Sequence, residues 1–153
     1  MNCLVLNYCR KVCIMICLFV VFGAGKSFAQ STVMEISWTD VEYVNYKGLL
    51  VLYPNNQGFI KTKFYHAQIG DVWVSQNAVF SCQYDLMGNM TSYINCSYPK
   101  TQPNVPYSAD NFVIFPNGNM YTQDYSGKWS TLVTAVVIQP TYWSAKFREY
   151  KIQ

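Results

Sequence analysis

The sequence predicts an all-β domain, an antiparallel sandwich or barrel of about eight or nine strands joined mostly by hairpins. Three observations carry that prediction. Past residue 30, apolar and polar residues alternate at period 2 along most of the chain, as half-buried strands require. Turn-forming Pro, Asn, Asp and Gly interrupt the alternation at short intervals. One phrase also occurs twice, VLYPNNQGF at 51–59 and VIFPNGNMY at 113–121.

Residues 1–29 read as an export signal. Arg10 and Lys11 precede an apolar stretch from Cys13 to Gly25, and Ser27 and Ala29 supply the small residues of a cleavage site. The stretch is shorter than the roughly 20 residues of a membrane span. The expected mature chain is therefore one all-β domain, 30–153, with no stable membrane span. The Phe28-Ala29-Gln30 junction resembles that of bacterial exported proteins, which implies a periplasmic, extracellular or cell-surface location.

Within the domain, Met34, Ile36 and Trp38 share one face of a first strand. The run from Gly48 to Tyr53 is apolar on both faces, as in a strand covered on both sides. Alternation predicts further strands over 59–66, 71–75, 78–84, 90–98, 111–115, 119–125 and 129–138. The last segment, Tyr142 to Ile152, fits either period, because Trp143, Phe147 and Tyr150 also have helical spacing. Its β-rich company favours a strand. In the repeated phrase, Pro116 presets the first turn position, Asn117 takes the second and Gly118 the left-handed third. In the earlier copy, Pro54 to Gly58 spreads the same chemistry over a longer loop. Convergence on a favoured turn explains the echo better than duplication does.

Export also changes the composition. Of 11 Lys+Arg, Arg10, Lys11 and Lys26 leave with the signal, so 8 remain against 8 Asp+Glu. A neutral chain without a basic run has no electrostatic footprint for nucleic acid. Of six cysteines, only Cys82 and Cys96 remain, and an oxidising compartment favours one disulfide between them. A hairpin with Gly88-Asn89-Met90 as its loop sets Cys82 opposite Cys96, Phe80 opposite Tyr98 and Tyr84 opposite Ile94. Such a bond would stabilise the fold by about 3 kcal/mol. Asn89-Met90-Thr91 and Asn95-Cys96-Ser97 match the glycosylation acceptor pattern, which matters only in a eukaryotic host.

Little here is arranged for catalysis. His66 is the single histidine, and a lone strand-end imidazole is ordinarily bonded to backbone. Asp40 and Glu42 are two apart, as a solvated turn would have them, rather than across a cleft as glycoside hydrolysis needs. Asp71, Asp110 and Asp124 sit where Asx turns account for them. Nucleophile-elbow, zinc-protease, P-loop and dinucleotide motifs are absent from the sequence. No catalytic residue, metal ligand or cofactor is assigned. The better lead is aromatic: Tyr121, Gln123 and Tyr125 alternate on one face beside Trp129. Flat rings that stack, interleaved with amides that bond hydroxyls or backbone, suit a glycan, peptide or protein ligand. The expected function is an exported non-catalytic binding module using Tyr121, Gln123, Tyr125 and Trp129. The alternative is an exported inhibitor or immunity-type protein that blocks a partner enzyme, and a small hydrolase built on Asp40, Glu42 or His66 comes last.

The lipocalin family offers a useful contrast. Its Gly-x-Trp motif precedes its Thr-Asp-Tyr motif, whereas Gly127-Lys128-Trp129 follows Thr122-Gln123-Asp124-Tyr125 here. The chain is not assigned to that family. Export, length and β content still admit a ligand-holding barrel.

Overall fold

A computed structural model describes residues 30–152, so the export signal read at 1–29 lies outside the described residues. The described residues form eight strands: β1 (Thr32–Thr39), β2 (Asn45–Leu52), β3 (Gln57–His66), β4 (Gly70–Tyr84), β5 (Met90–Gln102), β6 (Asn111–Ile114), β7 (Met120–Gln123) and β8 (Trp129–Val137). Each pairs antiparallel with the next, and β8 returns to pair with β1, closing an up-and-down barrel. Closure settles the sandwich-or-barrel alternative, because it leaves no sheet edge unpaired.

Alternation sets the barrel's inside and outside. Met34, Ile36 and Trp38 of β1, Leu50 and Leu52 of β2, Ile60 of β3, Ile94 of β5 and Phe112 of β6 pack in one buried cluster. The rings interlock: Trp38 stacks on Tyr46 at 4.9 Å and meets Phe112 edge-on at 5.5 Å. Side chains thus fill the lumen.

A second apolar cluster lies on the outer surface. Val33, Leu49 and Val51 are 1%, 0% and 2% exposed although they point away from the lumen. Their cover is the C-terminal segment, a single 3-10 turn (Pro140–Tyr142) followed by helix α1 (Trp143–Glu149). This corrects the strand expected over 142–152. Trp143, Phe147 and Tyr150 recur at helical spacing, and all three pack on that cluster, which a strand would have placed on alternate faces. Trp143 Nε1 donates to the Ile138 carbonyl at 2.8 Å, pinning the segment to the end of β8. The two-sided apolarity of β2 is thereby explained: Leu50 and Leu52 face the lumen, Leu49 and Val51 the helix side.

Two other expectations are revised. The strands expected at 71–75 and 78–84 are one, β4, interrupted by a register shift between Ser75 and Asn77 against β5. Cys82 is not opposite Cys96. Cys82 pairs with Ser92, its Sγ 3.7 Å from Ser92 Oγ, and Cys96 pairs with Ala78. No disulfide joins the two. The cause is the turn, which spans Asp85 to Asn89 and is centred two residues earlier than expected. Asp85 Oδ1 accepts the amides of Met87 and Asn89, and Asn89 Nδ2 donates to Oδ2. That carboxylate fixes the register.

The same five-residue turn recurs at Asp40–Val44, Tyr53–Gln57, Phe115–Asn119 and Asp124–Lys128. In each, the first amide donates to the fifth carbonyl and the fourth amide to the first carbonyl. The fourth residue is left-handed: Tyr43, Asn56, Gly88, Gly118 and Gly127. The echoing phrases therefore have turns of equal length, with Asn56, not Gly58, in the place of Gly118. Gly58 belongs to β3, where a Cβ would run into the Val51 carbonyl oxygen.

Candidate functional site

The antiparallel order β5-β6-β7-β8 sets the outward residues of four strands side by side. Tyr93 of β5 is opposite Val113 of β6, which is opposite Tyr121 of β7, which is opposite Leu132 of β8. Beside this row runs a more polar one, with Asn95 opposite Asn111 and Gln123 opposite Trp129. Asn111 Nδ2 donates to Gln123 Oε1 at 3.4 Å, linking the amides across β6 and β7. Trp129 packs against Tyr93 with ring centres 6.3 Å apart, and Tyr121 meets Phe115 edge-on at 5.7 Å. Val113, 0% exposed, is the buried floor of this patch. Tyr93, Tyr121, Gln123 and Trp129 are half-buried, with ring and amide surface left open. Helix α1 packs on the opposite part of the barrel, over residues of β1 to β4.

Three of the four residues singled out in the sequence thus meet on one outer face. Tyr121 and Gln123 are neighbours on β7 and Trp129 pairs with Gln123. Tyr125 stands apart in the β7–β8 turn, 79% exposed. The antiparallel β1–β8 pairing puts the β1–β2 and β7–β8 turns at one end of the barrel, where burial and the negative charges of Glu42 and Asp40 raise the Tyr125 hydroxyl pKa. Sequence reading missed Tyr93, Asn95, Asn111 and Phe115. The parity of Tyr93 and Asn95 on β5 was legible, but not which strands flank it.

The patch continues over β8 into an open groove of about 710 Å³ across β8, β1 and β2. Ser37, Thr39, Asn45, Ser130, Leu132 and Thr134 contribute to its lining. Its charged groups are already engaged. Asp40 Oδ1 accepts the amides of Glu42 and Val44, and Lys47 Nζ pairs with Glu35 at 3.1 Å.

The acid candidates have structural partners. Asp124 accepts from the Ser126 and Lys128 amides and from the hydroxyls of Ser126 and Ser130. The Ser126 hydroxyl leads these bonds in holding its pKa down at about 2. Asp71 pairs with Lys63 at 2.9 Å, and His66 Nδ1 accepts the Gln68 amide at 3.3 Å. Asp110 departs from the expected Asx turn. It sits under the 103–110 segment, accepting from Gln76 Nε2 at 2.6 Å and Tyr107 Oη at 3.1 Å. Burial pushes its pKa up to about 6 against those two hydrogen bonds. Val105 and Tyr107 of this segment pack on Phe64, Val72 and Val74 at the upper end of the lumen. Among the described residues, no group of three or more His, Cys, Asp or Glu is placed to hold a metal ion, and no helix is long and apolar enough to cross a membrane.

Comparison with family models, with curated proteins and with solved structures yields no match. The functional reading rests on the geometry alone.

Proposed function

We propose that this chain is an exported, non-catalytic binding module, periplasmic or at the cell surface, that takes a glycan on the outer face of β5 to β8. One observation carries the reading. Tyr93, Tyr121 and Trp129 expose ring surface on a single face, beside amides of Asn95, Asn111 and Gln123. Rings stack on the apolar faces of sugars while amides exchange hydrogen bonds with hydroxyls. The strand ladder beneath the patch makes it rigid, which limits the entropy lost on binding. The lumen, filled by Trp38, Ile60, Ile94 and Phe112, supports an external site rather than an enclosed ligand.

Affinity electrophoresis in gels containing neutral β-glucan, xylan, mannan or galactan tests this. Retardation of the wild-type protein by at least one polysaccharide, lost in Trp129→Ala, is the expected result. Unretarded migration in all four, or retardation unchanged in both Trp129→Ala and Tyr121→Ala, contradicts it.

A specific feature favours the inhibitor reading as the second choice. Past its last pairs with β3 and β6, the β4–β5 hairpin runs on to a turn that exposes Leu86 and Met87, 108% and 85% accessible. The Asp85 hydrogen bonds hold that tip in one shape, as a wedge inserted into a partner enzyme requires. Leu86→Asp would abolish such binding and leave glycan retention unchanged.

A further inference from the structure

We infer that the groove across β8, β1 and β2 is a second subsite of the same surface, so that the ligand is an extended, uncharged polysaccharide laid across the strands rather than a single sugar. The inference rests on the glycan reading above and adds ligand length and charge to it.

Continuity is the first support. Leu132 belongs both to the row Tyr93, Val113, Tyr121, Leu132 and to the groove, so β8 joins the two without an intervening wall. From β6 to β2 the joined surface crosses five strands. At about 4.8 Å between neighbours it spans roughly 19 Å, more than one sugar ring covers.

The lining chemistry is the second. Ser37 and Thr134 offer hydroxyls and Asn45 its amide nitrogen, while Thr39 Oγ1 donates to Asn45 Oδ1 and Ser130 Oγ to Asp124. Asp40 is occupied by backbone amides, and Lys47 by Glu35 and Glu149. A groove with hydrogen-bonding capacity and no uncommitted charge complements a neutral polyol. It offers an anionic chain no counter-charge.

The third is Tyr43, on the turn whose Asp40 and Val41 line the groove's upper end. Tyr43 holds φ 62 and is 87% exposed. The four sister turns put Gly88, Gly118, Gly127 or Asn56 at that place. A bulky residue is disfavoured there, and folding gains nothing from a side chain left in water. Exposed Tyr125, on the adjacent turn, gives that rim a second ring. The strain at Tyr43 is explained if its ring stacks on a sugar entering or leaving the groove.

The test is calorimetric titration of the wild-type and variant proteins with a series from disaccharide to octasaccharide of the retained polysaccharide. Affinity for the wild type should rise with length until the span is filled. Tyr43→Gly should bind the long oligomers about tenfold more weakly, as expected for one lost stacked ring. It should leave disaccharide affinity unchanged and melt a few degrees higher as the backbone relaxes. Tyr43→Phe should keep the length dependence. Length-independent affinity, or full-strength binding of long oligomers by Tyr43→Gly, overturns the groove subsite while leaving the glycan reading intact. Loss of all binding in Trp129→Ala supports that underlying reading separately. Indifference to Trp129→Ala, or no binding by any oligomer, removes it and this inference with it.

Discussion

The outer surface of the barrel has two halves built by one rule and finished differently. On β1 to β4 the outward residues Val33, Leu49 and Val51, with Phe59 and Trp73 beside them, lie under Trp143, Phe147 and Tyr150 of the C-terminal segment. Among the described residues no helix lies over the outward Tyr93, Val113, Tyr121 and Trp129 of β5 to β8; Tyr93 and Trp129 pack on each other, and Tyr121 on Phe115. The polar chemistry differs in the same sense. Glu35 on the covered half is committed to Tyr150 Oη at 2.7 Å and to Lys146 and Lys47 at 3.1 Å each. The open half carries neutral amides. Aromatic residues on an outward face thus have two uses, and the cover decides between them.

The comparison is sharpest in stability. Tyr150→Ala removes a ring that is 3% exposed together with its hydrogen bond to Glu35, and should cost about 3–5 kcal/mol in urea denaturation. Tyr121→Ala on the open half should cost about 1 kcal/mol or less. Equal costs would break the distinction.

A smaller effect comes from the other covered place, the mouth beneath residues 103–110. Burial raises the Asp110 pKa to about 6, above the ordinary value of 3.8. Between those values the folded state holds a proton that the unfolded state releases, so stability rises as pH falls through that window. The gain should approach 2–3 kcal/mol from pH 7 to pH 4 and should vanish in Asp110→Asn, as read from urea midpoints at each pH. A midpoint that falls over that range in the wild type contradicts the assignment. Smaller still is Glu35→Gln. Burial raises the Glu35 pKa, but hydrogen bonds from Tyr150, Lys47 and Lys146 outweigh it and the net shift is downward. Glu35 therefore contributes stability above about pH 4.5 that is lost on acidification, opposite in sign to Asp110. Its replacement should cost about 1–2 kcal/mol at pH 7.

The sequence announced the strands and not what covers them. Period 2 located β1 and β3, while the double apolarity of 48–53 located β2 and implied a second cover. The identity of that cover was missed, because Trp143, Phe147 and Tyr150 fit helix and strand spacing alike, and only the docking surface at Val33, Leu49 and Val51 decides. The Cys82–Cys96 pairing failed on one carboxylate. Asp85 fixes a turn centred two residues before the one that glycine placement suggested, and that shift moves every partner across the hairpin by four. Tyr121, Gln123 and Trp129 were legible as a group because they are close in the chain. Tyr93 and Asn111 join them through β5-β6-β7 pairing, which no local pattern encodes.

The four tryptophans report on the central claim separately. Trp38 is inside the barrel, Trp73 and Trp143 are on the covered half and Trp129 is on the open half. In nitrogen-15-labelled protein, titration with the retained oligosaccharide should shift the Trp129 indole resonance and leave those of Trp73 and Trp143 in place. A silent Trp129 with movement at Trp73 or Trp143 would put the ligand on the covered half and contradict the account.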